Sequence, residues 1–184
     1  MDRPPPLIRL IDDGNLDAFG RYLEDHLRDN GRDGTPLFQP QSRADAWPLS
    51  EKLAQFRIGR TTSVGEPRWR RAWAALDSTG LILGHVDLRA HADPGTSHRA
   101  LLGMGVHRSH RRQGLGRALV GFAISWATEQ ATLEWIDLSV LAGNLPAQHL
   151  YKNTGFRTLA TLADMFRVDG HSVDQTLMAL KLRG

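Results

Sequence analysis

Residues 101–156 carry the strongest structural signals in this chain: LLGMGVHRSHRRQGLGRALVGFAISWATEQATLEWIDLSVLAGNLPAQHLYKNTGF. The apolar run from Leu101 to Val106 predicts a strand, and a basic turn with two glycines follows it. After the turn, the apolar residues recur at helical spacing, at Leu115, Leu119, Phe122 and Trp126. This stretch therefore begins as strand, turn and amphipathic helix.

A second motif ends the same stretch. Leu133 to Leu141 has the composition of a buried strand, and Asn144 follows it as a suitable helix N-cap. Pro146 suits the first turn of a helix, and Gly155 suits the position just after a helix end. The spacing N-x-x-A-x-x-x-Y-x-x-x-G-F joins Asn144, Ala147, Tyr151, Gly155 and Phe156.

Outside this stretch the sequence predicts further strands and two helices. Leu7–Ile11 is a short apolar run, and helical periodicity follows at Leu16, Phe19, Leu23 and Leu27. A second helix is predicted from about Pro48 to Phe56. The other predicted strands are Trp69–Asp77, Leu81–Arg89, Arg99–Val106, Phe156–Phe166 and Thr176–Leu182, with Asp169–His171 dividing the last two. The order is β-α-α-β-β-β-α-β-α-β-β, which predicts one mixed α/β domain over residues 1–184.

Length and composition restrict the class of protein. The chain has 184 residues, of which 41% are hydrophobic and 23% are charged, as in an ordinary globular domain. No apolar run reaches the length of a membrane span, and the first residues lack the apolar core of a signal peptide. We therefore expect a cytoplasmic protein. Because there is no cysteine, disulfides, thiolate zinc sites and a thiol nucleophile are excluded.

The turn from Arg111 to Gly116 has the chemistry of a diphosphate site. A strand, a glycine-bearing turn and a helix start bring free backbone N–H groups and the positive end of a helix dipole to one point. The alternative is that the glycines only shape the turn and the arginines are solvated. A Walker loop is absent, and Leu119 stands where a dinucleotide-binding fingerprint needs a small residue.

Together, the strand Leu101–Val106, the turn and the Asn144–Phe156 spacing resemble the GCN5-related N-acetyltransferase (GNAT) superfamily. The turn is similar to that family's Arg/Gln-x-x-Gly-x-Gly/Ala acetyl-CoA signature, and the two motifs stand in the family's order. The resemblance implies a GNAT-like α/β fold, with a mixed central sheet of about six or seven strands and about four flanking helices. Within the superfamily, the segment Phe166–Leu180 resembles members that acetylate amino acids or phosphinothricin.

The resemblance implies direct transfer of acetyl from acetyl-CoA, as a co-substrate and without a metal, to an amine. Met104 and Val106 would offer backbone groups to the pantetheine arm, and Asn144 and Ala147 would lie against the coenzyme. Tyr151 would stand near the thioester sulfur as general acid for the thiolate. The residues expected to hold the pyrophosphate are Arg111, Arg112, Gln113, Gly114, Leu115, Gly116 and Arg117.

The general base is where the sequence departs from the family pattern. Many relatives carry a glutamate on the strand before the turn, but Leu101–Val106 has no acidic residue. Asp87 and Asp137, on the strands before and after it, are candidate bases, and Glu134 is a third. There are alternatives to a carboxylate base. These carboxylates could have structural roles, and the proton could leave through a water chain or the enzyme could capture the neutral fraction of the amine.

The acceptor is expected to be a small-molecule or peptide amine, with Phe38 and Trp47 lining its pocket or serving as core anchors. His85 and His149 could join a proton path. His107 and His110 lack a third ligand cluster, so no metal site is expected. A homodimer is expected from the resemblance.

Two functions other than acetyl transfer fit parts of the sequence. A non-catalytic acyl-CoA-binding module would explain the missing strand carboxylate. A nucleic-acid-binding protein would use the basic cluster between His107 and Arg117, but the formal net charge of only +3 disfavours it.

Overall fold

A computed structural model describes residues 6–42, 44–130 and 132–183 of the chain. Its helices and strands follow the predicted order. The strands are β1 Leu7–Leu10, β2 Arg70–Leu76, β3 Ile82–Arg89, β4 Arg99–Val106, β5 Trp135–Leu141, β6 Arg157–Val168 and β7 His171–Lys181. The helices are α1 Leu16–Arg28, α2 Leu49–Thr61, α3 Leu115–Glu129 and α4 Leu145–Asn153, and a 3-10 turn spans Arg108–His110.

The strands form one sheet of seven, in the order β1-β2-β3-β4-β5-β7-β6. Only β4 and β5 pair in parallel among the described strands; every other pair is antiparallel. The predicted fold class, a mixed sheet of about seven strands with about four helices, is therefore confirmed. That residues 1–184 form a single domain stays a prediction.

The boundaries differ from prediction at α2, which continues beyond Phe56 to Thr61, and at the last hairpin. The sequence predicts His171 in the turn and a last strand from Thr176, but β7 begins at His171. The two residues before it, Asp169 and Gly170, both have positive φ, at 49° and 80°. A two-residue turn of that kind matches the twist of adjoining strands, so pairing continues up to Val168 and His171.

The two faces of the sheet carry separate apolar cores. One core joins α3 and α4 to the sheet and contains Leu119, Val120, Ile136 and Tyr151. The other joins α1 and α2 to β2 and β3 and is centred on Phe19 and Phe56. Because side chains alternate along a strand, β4 sends Ala100 and Leu102 towards α3 and presents Gly103 and Gly105 to the α1 and α2 face.

The parallel pair β4–β5 is short, and this creates a cleft. Pairing is confined to Arg99 with Trp135, Ala100 with Ile136 and Leu101 with Asp137. Both strands then continue, to Val106 and Leu141, with no further pairing between them over their fully described length. Unpaired backbone groups therefore face the opening between the strands.

Within the described residues, no helix has both the length and the apolar character needed to cross a bilayer.

Candidate active site

The turn between β4 and α3 ends in an open helix terminus. Gly114 has φ +81° and Arg112 has φ +60°, so two residues of the turn adopt left-handed backbone. No side chain caps the first turn of α3, and the Ala118 N–H is the one that closes onto the Gly114 carbonyl, at 3.1 Å. The N–H groups before Ala118 lie at the positive end of the helix dipole, an arrangement suited to an anion.

Gly116 lies where α3, β4 and α4 approach one another. A Cβ atom at this position would stand 3.1 Å from Leu150 Cδ2, 3.6 Å from Met104 Cε and 3.8 Å from Val106 Cγ2. The lack of a side chain thus lets the helix start sit close to the strand and to α4. Any larger residue would occupy the space between the turn and the cleft.

The arginines of the turn have different surroundings. Arg111 donates from Nε to the Val106 carbonyl at 3.1 Å and from Nη1 to Thr35 at 3.0 Å, and it forms an ion pair with Asp29 at the end of α1. Its side chain therefore holds the turn against α1. Arg112 is exposed and forms no ion pair with a described residue. Among the other predicted turn residues, Gln113 donates to the Ser109 carbonyl and Arg117 to the Asn153 carbonyl.

The basic cluster is partly neutralised from outside its own segment. Asp25 on α1 accepts bonds from Arg108 Nη1, at 3.0 Å, and Nη2, at 2.9 Å, and its carboxylate lies 3.1 Å from His107 Nε2. Arg108 is the main cause that lowers the pKa of Asp25. The cluster that looked purely basic in sequence is thus neighboured by acidic residues about 80 positions away.

Met104 and Val106 have their backbone groups at the cleft. The His107 N–H donates to the Leu83 carbonyl of β3 at 2.9 Å. In an antiparallel pair the direction of the backbone groups alternates, so the N–H groups of Val106 and Met104 point to the opposite edge, towards the opening. Their side chains pack against the core under α3. This places the predicted pantetheine contacts along the open edge of β4.

The Asn144 to Tyr151 motif lies on α4, directly after β5. Asn144 caps the helix by accepting the Ala147 N–H at 3.3 Å, so this asparagine oxygen and the Ala147 amide satisfy each other. Tyr151 is 7% exposed and its ring meets Phe156 edge-on at 5.8 Å. Burial raises the pKa of Tyr151, and its hydroxyl has no partner among the described residues. The phenol therefore stays protonated at neutral pH and is free to donate.

Asp87 lies on the α1 and α2 face, fixed between two arginines. Arg70 Nε and Arg89 Nη1 donate to the same carboxylate oxygen, at 2.9 and 3.0 Å. Burial alone would raise the pKa of Asp87, but the charges of Arg70 and Arg89 outweigh it and lower this pKa to about 2. A carboxylate so stabilised as an anion is a weak proton acceptor.

Asp137 stands at the point where β4 and β5 separate. Its two oxygens accept from Arg99 Nη2 and Nε, at 2.5 and 2.7 Å, and the second also lies 2.9 Å from His91 Nε2. Both predicted carboxylate bases are therefore engaged in ion pairs, and Glu134, the third, is exposed. Their assignment as bases stays a prediction.

A buried group of rings lies beside Gly105, and sequence reasoning named its His85 but missed Tyr22 and His26. Tyr22 donates to the Gly105 carbonyl at 3.1 Å, and His85 Nδ1 lies 3.1 Å from the Tyr22 hydroxyl. A Cβ atom at Gly105 would fall 2.4 Å from His26 Nε2, so this imidazole rests on the strand itself. His26 Nδ1 is buried with no partner among the described residues. No local motif marks His26, because the strand it contacts is far away in sequence.

Burial keeps both imidazoles neutral. Burial, with a smaller contribution from His85, lowers the pKa of His26 to about 3, and burial lowers that of His85 to about 4. Each neutral ring therefore has one nitrogen that can accept a hydrogen bond, but so low a pKa makes it a weak proton acceptor at neutral pH.

The two predicted acceptor-site aromatics have different surroundings. Phe38 stacks on His26 with ring centroids 4.8 Å apart, which places it near β4. Trp47 borders a pocket of about 300 Å³. That pocket is lined by Glu24, Leu27, Arg28, Asn30, Arg32, Ser42, Asp45, Ala46, Trp47 and Leu49. Since no residue of β4, β5 or α3 lines it, this is not the cleft.

No group of three or more His, Cys, Asp or Glu side chains suited to a metal occurs in the described part of the chain. His107 and His110, the pair considered from sequence, are bridged by the Ser109 hydroxyl, at 2.6 and 3.0 Å.

Comparisons with known proteins agree with this geometry. The sequence model of the acetyltransferase (GNAT) family matches residues 37–156. The chain is 31% identical over 84 residues to N-alpha-acetyltransferase daf-31 of Caenorhabditis elegans, covering 45% of this chain and 46% of the relative. It is 29% identical over 100 residues to L-amino acid N-acetyltransferase AaaT of Escherichia coli (strain K12), covering 54% and 62%. Each match spans less than two thirds of the relative.

The similarity of fold extends over almost the whole chain. The structure of yncA from Salmonella typhimurium with its cofactor acetyl-CoA superposes with a TM-score of 0.77, covering 98% of this chain and 95% of that one. At 18% identity this similarity establishes the fold.

Proposed function

Because the chain belongs to the acetyltransferase (GNAT) family, we propose that it transfers an acetyl group from acetyl-CoA directly to a primary amine. The observation that carries the proposal is the separation of β4 from β5 beside the uncapped start of α3. The opening exposes unpaired strand backbone, and the helix start exposes N–H groups suited to phosphate. Acetyl-CoA carries both kinds of group, because the amides of its pantetheine arm suit the strand backbone and its diphosphate suits the helix start.

The chain's own residues suit this coenzyme. The N–H groups of the turn up to Arg117 would bind the pyrophosphate, with Arg112 as the nearest uncommitted charge. Met104 and Val106 would bond the pantetheine arm along the open edge of β4, and Asn144 and Ala147 would border it from α4. The role of Arg111 is to hold the turn rather than the phosphate, because its guanidinium is taken by Asp29, Thr35 and Val106.

The reaction follows from the protonation states of the groups involved. A primary alkylamine has a pKa of about 10, so it must lose a proton before its nitrogen attacks the thioester carbonyl. The Val106 N–H would stabilise the oxyanion, and its direction towards the cleft supports this role. As the C–S bond breaks, the Tyr151 phenol would donate its proton to the departing thiolate, and a proton from solvent water would then restore the phenol. The products are an amide and free coenzyme A.

The proton of the amine needs an acceptor. Asp87 and Asp137 remain candidates from sequence, but each already balances neighbouring cations. His26 offers a neutral nitrogen beside Gly105, and the Tyr22 hydroxyl and His85 continue from the same place. We propose that His26 accepts a hydrogen bond from the neutral amine or from a water beside it, and that the proton leaves to solvent water, because a pKa of about 3 makes this imidazole a weak base.

The acceptor is proposed to be a small-molecule or peptide amine, and the relative AaaT, named as an L-amino acid N-acetyltransferase, supports the former. A cytoplasmic location stays a prediction. So does a homodimer, for which the exposed apolar residues Leu159 and Met165 on edge strand β6 offer a surface.

The alternative is a non-catalytic acyl-CoA-binding module. The ion pairing of both predicted carboxylate bases favours it, because no acidic group of the described cleft is uncommitted. Such a module would bind acetyl-CoA with no amine-dependent chemistry.

One experiment separates the two functions. Free thiol released from acetyl-CoA is measured with and without a broad amine panel, beside the thermal shift caused by acetyl-CoA alone. Transfer predicts a thermal shift and amine-dependent thiol release. A shift without release on any amine would support the binding module, and no shift with acetyl-CoA would contradict both.

A further inference from the structure

We infer that the acceptor carries a carboxylate beside its amine, and that Lys52, Arg70 and Arg89 form the subsite for that carboxylate. The inference rests on the proposed acetyl transfer and names the acceptor class for the same cleft. Three cations converge there, from α2, β2 and β3, around the single carboxylate of Asp87.

The position of Arg89 ties this subsite to the reacting centre. A Cβ atom at Gly103 would stand 2.9 Å from Arg89 Nη1, so the guanidinium lies directly over β4. Gly103 is two residues beyond Leu101, where pairing with β5 ends. The side chain of Arg89 is 35% exposed. It therefore stands at the start of the cleft, on the face where Asp87 and Arg89 cover Gly103 and where His26 covers Gly105.

The hydrogen-bonding capacity of the cluster is only partly used. Asp87 accepts one N–H from Arg70 and one from Arg89. Among the described residues, the remaining N–H groups of these two guanidinium groups have no acceptor. The Lys52 ammonium has no hydrogen-bond acceptor among the described residues either. It makes a cation–π contact with the Trp47 ring, whose centroid lies 5.9 Å away. Asp87 thus balances one of the three positive charges. Arg89, 35% exposed, and Lys52 are the cations open to an anion, while the Arg70 guanidinium is 13% exposed and packs on the Phe56 ring.

The electrostatics of Lys52 agree with an unfilled anion site. Burial lowers the pKa of Lys52, and repulsion by Arg70 and Arg89 lowers it further, while Asp87 opposes this only partly. An anion bound among the three cations would relieve that repulsion.

The neighbouring ion pair of Arg99 with Asp137 differs from the cluster around Asp87. Arg99 donates from Nε and Nη2 to the two oxygens of Asp137, a bidentate pair, and its guanidinium also covers the Trp135 ring. That arginine is satisfied by its own partners. Arg89 makes a single contact with a shared carboxylate, which leaves it able to bind a ligand.

We propose that the anionic group of the acceptor is a carboxylate. An amine at the open end of the cleft and a carboxylate on Arg89 would belong to one small molecule, since both lie at the same few residues of β4. Polyamines, which carry only positive charges, would be repelled by the same three cations.

The test uses trios of acceptors that share one side chain and differ in one group. Each trio contains an L-amino acid, its amide and the corresponding decarboxylated amine, with apolar, acidic and basic side chains represented, and spermidine is added as a polycation. The readout is kcat/KM from thiol release. We expect the acid of at least one trio to exceed its amide and amine about tenfold or more.

Variants of Arg89 and Lys52 test whether these residues cause the preference for the acid over its amide. Arg89→Gln and Lys52→Met should each lower kcat/KM for the preferred acid about tenfold, mainly through KM, and leave its amide nearly unchanged. Arg57→Gln, an exposed change on the same helix as Lys52, is the matched control and should alter neither. Turnover of the amide shows that each variant is folded.

Two results would overturn the inference. If amides, amines or spermidine are acetylated as well as the acids, the carboxylate subsite is wrong while acetyl transfer stands. If no member of any trio releases thiol, acetyl transfer itself fails on these acceptors and the inference falls with it.

Discussion

The side of the cleft proposed to bind the coenzyme and the side proposed to bind the acceptor are built in different ways. The coenzyme side is the turn, the start of α3, the open edge of β4 and α4, all drawn from the continuous stretch Leu101–Phe156. The acceptor side combines Tyr22 and His26 of α1, Lys52 of α2, and side chains of β2 and β3. The difference teaches that local sequence specifies the coenzyme contacts, while the acceptor contacts depend on how distant elements pack.

The largest expected effect is on the acceptor side, at Asp87. In Asp87→Asn, Arg70 and Arg89 lose their shared anion in a buried place, so we expect the free energy of unfolding to fall by about 3 kcal/mol. Chemical denaturation measures it. Asp93→Asn, at an exposed loop position, is the control and should change stability little. An equal loss in both variants would contradict the ion-pair explanation.

The next effect compares the chain's two tyrosines, one on each side. Tyr151→Phe should lower kcat about a hundredfold with little loss of acetyl-CoA affinity, because only the proton donor is removed. Tyr22→Phe removes the same atom from the acceptor side, where it bonds Gly105, and should cost mainly stability. Single-turnover kinetics and coenzyme titration measure both. A collapse of acetyl-CoA affinity in Tyr151→Phe would make that residue a binding group.

The third prediction concerns pH and the buried imidazoles. His26 and His85 have folded pKa values of about 3 and about 4, below the unfolded value of about 6.5. Their contribution to stability is complete above pH about 6.5 and is lost as the pH falls towards these folded values, because the unfolded chain binds protons first. The slope should reach about 1.4 kcal/mol per pH unit for each imidazole.

His26→Leu tests the assignment, since it should remove about half of the combined slope of the two imidazoles between pH 6 and 5, a loss of about 1.4 kcal/mol per pH unit. Urea unfolding at a series of pH values gives the measurement. An unchanged slope would mean that His26 is not held neutral in the folded protein.

The smallest effect separates two adjacent arginines of the turn. Arg112→Gln should weaken acetyl-CoA binding a few-fold and leave stability unchanged, since Arg112 is exposed and has no ion-pair partner among the described residues. Arg111→Gln should lower the melting temperature instead, because it removes the bonds to Asp29 and Val106. Equal losses of coenzyme affinity would show that both arginines hold phosphate.

Much of the fold could be predicted because its signals are local. The alternation and helical periods of residues 101–156 depend on neighbours only a few positions apart, and they fixed β4, α3, β5 and α4 to within a few residues. The last hairpin was less well placed, since the left-handed conformation of Asp169 is a property of the folded turn. The assignment of Arg111 and Arg112 as alike also reflects this limit, because Asp29 is distant in sequence.

The sequence alone determined the order of the helices and strands, the glycine turn and the position of Tyr151, because each depends on spacing along the chain. The packing of α1 and α2 on the sheet determined which charges are neutralised and which remain available. Ion pairs form over a few ångströms, and residues 82 positions apart, such as Asp29 and Arg111, reach that distance only in the folded chain. The acceptor chemistry therefore belongs to the tertiary structure.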